Sequence, residues 1–118
     1  MDDFVDVYVG SDRFVTTRRT LCNCQGYLQG MVIEMAPQQT SFRIDRDPTH
    51  FRHVLNHLRG STTYPSDAAD LDALRHEADF YALDELVRAI DFRKQQLARD
   101  SIAHYLQLIA STLHARSV

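Results

Sequence analysis

Cysteine is scarce in this chain: only Cys22 and Cys24 among 118 residues. Their C-x-C spacing is awkward for a disulfide and lacks the second pair of a zinc knuckle, so free thiols in a reducing compartment are expected. An excess of either charge is also lacking. Thirteen Lys and Arg against sixteen Asp and Glu give a net charge of −3, which supplies no electrostatic reason to bind nucleic acid or an anionic membrane. No apolar run approaches the roughly 20 residues of a membrane span. The opening MDDFVDVYVG has neither the basic start nor the apolar middle of a signal peptide, so an intracellular, cytoplasmic location is expected. Catalytic signatures are missing as well. The chain has no G-x-S-x-G, phosphate loop or H-E-x-x-H, and no Cys–His pair with an evident orienting partner. Glu77 and Asp79 are two apart and do not share a helix face. A non-enzymatic protein without a cofactor is expected.

What is present suits one soluble domain. Hydrophobic residues make up 44% and charged residues 25%, ordinary for a globular chain long enough for a single core. Residues 4–9, FVDVYV, alternate, with Val5, Val7 and Val9 on one side and Phe4, Asp6 and Tyr8 on the other. This predicts a strand with one apolar face. Gly10-Ser11-Asp12 reads as a tight turn and Arg13–Thr17 as the returning strand of a hairpin. Residues 18–35 suggest short helical pieces, broken near Gly26 and ended by Pro37, before a third strand at Ser41–Ile44. Asp47-Pro48 predicts a helix start, with Asp47 capping and Pro48 in the first position. Phe51, Val54, Leu55 and Leu58 then form an amphipathic stripe that Gly60 closes. Ser66 or Asp67 opens a helix with Leu71, Leu74, Ala78 and Tyr81 on one face, and Asp84 opens another with Leu86, Val87 and Ile90. Beyond Phe92, a second stripe of Ile102, Tyr105, Leu106, Ile109 and Leu113 is either a separate tail helix or a continuation. The expected class is α+β, a small three-stranded sheet with helices segregated behind it and a C-terminal amphipathic helix.

Three of the six histidines, His50, His53 and His57, recur at helical spacing. They fall within an arc of roughly 60°, flanking the apolar stripe rather than lying on it. His53 and His57 are an i, i+4 pair, but no third or fourth ligand is signalled, so no metal is expected. The histidines read as helix-flank residues at a surface or a subunit contact. Such a contact would weaken below about pH 6.5.

The segment around them is more specific. Phe42, Ile44, Asp45, Arg46, Asp47 and Pro48, followed by Phe51, Arg52, Val54, Leu55, Asn56, Leu58 and Arg59, resemble the tetramerisation-type branch of the BTB/POZ family. That branch is found in voltage-gated potassium channels and KCTD proteins. A second block, Leu74, Arg75, Glu77, Ala78, Phe80, Tyr81, Leu83, Leu86 and Val87, resembles the family stretch ending F-Y-G-L-x-x-L-V. In the opening hairpin Val9, Gly10, Phe14 and Thr17 (or Thr16) fit the family's N-V-G-G-x-x-F-x-T, with Ser11 where a second glycine is usual. The resemblance implies a domain over residues 1–92 and a helical tail over 93–118. It also implies self-association by a heterologous contact that closes into a ring of four or five. With Asp47 assigned to the helix cap, Asp45 and Arg46 are left free for pairing across that contact, with Arg13, Thr16 and Thr17 as complements. The H-x5-C-x20-C-C zinc motif of some channel members is absent, so interface zinc is not expected.

Homo-oligomerisation as a KCTD-like assembly module is the leading expectation. The alternative is an adaptor subunit for a cullin-RING ubiquitin ligase, or a partner co-assembling with larger BTB proteins. A channel assembly domain ranks last, because Asn56-His57-Leu58 stands where channel members more often carry aromatics. The tail stripe is expected to be buried against the chain's own penultimate helices or the same helix of a neighbour, or else presented to a partner.

Overall fold

The computed structural model describes residues 3–61 and 63–116. The element order is β1 (Phe4–Val9), β2 (Asp12–Thr17), α1 (Arg18–Leu21), α2 (Tyr27–Glu34), β3 (Ser41–Ile44), α3 (Phe51–Leu58), α4 (Ala68–Phe80) and α5 (Asp84–Arg116). The sheet order is β2-β1-β3, with β1 antiparallel to β2 and parallel to β3. This is the expected α+β architecture.

Alternation in β1 does what its pattern implies. Val5, Val7 and Val9 are fully buried beneath the helices, and Phe14, Phe42 and Ile44 join them from the neighbouring strands. Helix α3 adds Phe51, Val54, Leu55 and Leu58, α4 adds Leu71, Leu74 and Ala78, and α5 adds Leu86 and Ile90. Tyr81 lies fully buried among Phe51, Phe80 and Tyr27, with ring centroids 4.9 to 5.9 Å away.

Two glycines are required by close approach. At Gly10, in the hairpin turn with φ 57°, a Cβ would stand 2.8 Å from the carbonyl oxygen of Arg46. At Gly26 it would stand 2.5 Å from that of Tyr81, the same oxygen that accepts from the amide of Tyr27 at 3.0 Å. Helix α4 ends in a Schellman turn: Leu83 N donates to Ala78 O at 2.9 Å and Ala82 N to Asp79 O at 3.0 Å. Ala82 takes φ 55° there, a left-handed conformation that favours glycine.

Local caps differ in detail from expectation. Thr17 caps α1 by accepting from Thr20 N at 3.1 Å, and Asp67 caps α4 by accepting from Asp70 N at 3.2 Å. Asp47 does not cap α3. It accepts from Thr49 N at 2.8 Å and from the Thr49 hydroxyl, closing an Asx-type turn, and the regular helix begins at Phe51. The intervening turn is tighter than α-helical, since Phe51 N bonds Pro48 O at 3.0 Å.

The tail is a continuation: α5 runs 33 residues without a break. Arg75 holds Asp91 at 2.6 and 3.2 Å, and Lys94 pairs with Asp72, fastening the first turns of α5 to α4. Helix α4 has only 13 residues, so none of the described residues lies beside α5 beyond about Leu97. The chain accordingly measures 77 × 24 × 23 Å. Burial of the tail stripe against the chain's own helices is thus corrected: Ile102, Tyr105, Leu106, Ile109 and Leu113 are 38% to 63% exposed.

Candidate assembly surface

The helices cover one face of the sheet, and the other stays open. Phe4 (54% exposed) and Val15 (47% exposed) stand on it. Strand register places Arg13, Tyr8 and Arg43 in a row across it, because Tyr8 pairs with Arg13 on one side and with Arg43 on the other. Arg13 Nη2 donates to both carboxylate oxygens of Asp6 at 3.1 Å, and the Arg43 guanidinium lies 4.7 Å from the centre of the Tyr8 ring. A mixed face of ion-paired, cationic and apolar side chains results.

Each residue expected at a subunit contact has a definite place. Asp45 is exposed, just past β3, and makes no hydrogen bond or ion pair among the described residues. Arg13 is exposed on β2. These two stand at opposite edges of one sheet, since β2 and β3 flank β1. Arg46 is not free as expected. Its Nε donates to Glu77 Oε1 at 3.0 Å and its Nη2 to Oε2 at 2.5 Å, and its guanidinium lies 3.9 Å from the Phe80 ring centre. The Glu77 hydrogen bonds hold the Arg46 guanidinium pKa above its ordinary value, against the opposing effect of burial. The side chain pins the strand–helix corner to α4.

Thr16 is only 3% exposed and its hydroxyl has no partner among the described residues, because β2 turns Thr16 inward with Phe14. Thr17 spends its hydroxyl on the α1 cap, 3.0 Å from Thr20 Oγ1. Of the hairpin trio, Arg13 alone is on the surface. Composition did not signal Phe4, Val15 and Arg43 as surface candidates, although the alternation of β1 already placed Phe4 on the outer side.

The histidines are more enclosed than their flank position suggests. His50 Nε2 is 3.9 Å from Asp70 Oδ1, while His53 Nδ1 and His57 Nε2 are buried without a partner among the described residues. His57 lines a cleft of about 550 Å³ with Asn23, Cys24, Glu85 and Arg88. Burial lowers the His57 pKa against the pull of Glu85, and burial and then Glu85 raise that of the Cys24 thiol. A protonated thiol beside a neutral imidazole is a poor nucleophile. No cluster of three or more His, Cys, Asp or Glu able to hold a metal occurs among the described residues.

A model of the BTB/POZ domain matches residues 5–90. The chain belongs to the BTB/POZ family. It is 37% identical over 100 residues to human BTB/POZ domain-containing protein KCTD17, covering 79% of this chain and 32% of that protein. It is 34% identical over 109 residues to SH3KBP1-binding protein 1 of Rattus norvegicus, covering 88% of this chain and 15% of that one. A Caenorhabditis elegans relative, F47D12.3, is 32% identical over 104 residues, covering 71% of this chain and 74% of its own length. The chain thus spans a third or less of the first two relatives. BTB/POZ domains of KCTD-like proteins are interaction and oligomerisation modules, and this chain carries that module. No helix among the described residues is long and apolar enough to cross a membrane.

Proposed function

We propose that the chain is a homo-oligomeric assembly domain that closes into a ring of four or five copies. One observation supports this reading above others: the open sheet face carries Arg13 at its β2 edge and leaves Asp45 exposed beyond its β3 edge. An Arg13–Asp6 pair at one edge and, at the other, an Asp45 unpaired among the described residues are different polar groups, which suits a heterologous contact that closes into a ring when the rotation per step allows it. Phe4 and Val15 beside Arg13 supply apolar area that water would otherwise cover.

Charge exchange tests the contact. Asp45→Arg alone and Arg13→Asp alone should each reduce the mass seen by light scattering toward that of one chain. The double variant should restore it, since the pairing is kept with its polarity reversed. Full-size assemblies from both single variants would sink the assignment of these edges. Cullin-adaptor and co-assembly roles build on the same ring and differ in what it recruits. A cullin pull-down with the assembled chain separates them from simple self-association.

A further inference from the structure

We infer that the projecting half of α5 is a second self-association device, a parallel four-stranded coiled-coil seam joining copies of this chain. The inference rests on the ring proposed above and adds to it a partner for the tail.

Ile102, Leu106, Ile109 and Leu113 are separated by four, three and four residues, the a/d spacing of a heptad seam. Placing Leu106 and Leu113 at a puts Ile102 and Ile109 at d. Leucine at a with isoleucine at d favours more than two strands, up to four, whereas β-branched residues at a with leucine at d favour two. The flanking e and g positions are Ala103, Ala110, Tyr105 and Thr112. None is charged, so copies meet without like-charge repulsion, and the small alanines let helices approach closely. On the N-terminal side the seam stops at Arg99 and Gln95, polar residues at a and d where the helices would separate toward their own domains.

Exposure supports an intermolecular role. The four seam residues are all exposed, on the part of α5 that has no neighbour among the described residues. They leave roughly 400 Å² of surface open per copy, within the range for the largest patch on a monomer. That is less than the roughly 800 Å² per partner of a stable interface, and two heptads are short for an independent coiled coil. In a ring whose α5 helices converge on the axis, the difficulty is offset. Cyclic symmetry sends every α5 out in the same sense and level, and tethering makes the tail contact intramolecular at millimolar-scale effective concentration.

In-register disulfides test this in the full chain. With Cys22→Ser and Cys24→Ser as background, Leu106→Cys places a thiol in the seam, and His104→Cys places one on the outer side of the same helix. Under mild oxidation Leu106→Cys should cross-link at least tenfold faster than His104→Cys. The paired Leu106→Asp and Ile109→Asp variant should raise the concentration of half-dissociation at least tenfold, with unchanged helix content. Equal cross-linking at both sites in an intact oligomer would overturn the seam and leave the ring standing. A five-fold native mass would overturn the four-stranded seam alone. Collapse of the aspartate variant to monomers at every concentration would overturn the ring as an independent contact, and with it the tethering on which this short seam depends. A monomeric parent chain overturns both.

Discussion

Arg46 was expected to reach a neighbour, and the structure gives it to Glu77 and Phe80 of its own chain. Its side chain and that of Glu77 are 26% and 13% exposed, enclosed enough for a two-pronged charged hydrogen bond to outweigh a surface pair. Arg46→Ala should lower unfolding stability by about 1–2 kcal/mol, measured by urea melts at matched protein concentration. Asp45→Ala should leave the stability of the single chain unchanged. Sequence showed three charges crowded between a strand and a helix but not which would find an internal partner. Glu77 lies 31 residues away from Arg46, on a helix whose packing decides the question. Thr16 and Thr17 were read as neighbours with one role, yet strand alternation buries Thr16 and leaves Thr17 half-buried on the α1 cap. His57 carries a pH prediction. Its folded pKa is below its unfolded value because burial disfavours the imidazolium. The unfolded chain therefore binds the extra proton first as pH falls. The stability from this site is full above about pH 6.5 and is lost below it, toward the folded pKa. The slope should stay well under the ceiling of ~1.4 kcal/mol per pH unit, because the ring is partly open to solvent. Comparing denaturation midpoints between pH 7.5 and 5.5 for the parent and His57→Gln checks it: the variant should lose less stability on acidification.

Most elements were readable because their signals are local. The β1 alternation, the turn at Gly10, the Asp67 cap and the stripes of α3 and α4 each depend on residues a few positions apart. The start of α3 was misplaced for a related reason. Asp47 and Pro48 are both favourable at a helix N-terminus, but Asp47 finds a nearer partner in Thr49, so a tight turn precedes the helix. At the end of α4, Ala82 holds the left-handed position of a Schellman turn, where the family motif F-Y-G-L has glycine. Ala82→Gly removes the Cβ clash and should raise stability by about 1 kcal/mol, read as an upward shift in thermal midpoint. A fall instead would mean that glycine's extra freedom in the unfolded chain outweighs the relief. The tail shows the limit of periodicity. Its stripe was plain, but a stripe does not say what covers it, and the short span of α4 leaves it without a partner among the described residues.

At the scale of the molecule, the fold was legible through three ordered motif blocks, and the family match over residues 5–90 bears that out. The two halves of the proposed contact were less so. Asp45 and Arg13 stand at opposite edges of the sheet only because β3 joins β1 in parallel, placing β1 at the centre, and no local pattern announces that strand order. An open sheet face and the projecting apolar half of α5 are both surfaces that one copy leaves uncovered, and the proposed cyclic assembly would cover them together. Native mass spectrometry of the purified chain near neutral pH tests this most directly. The account predicts a discrete mass of four or five chains, unchanged by chelator, with four favoured by the α5 seam. A monomer across the micromolar range would contradict it.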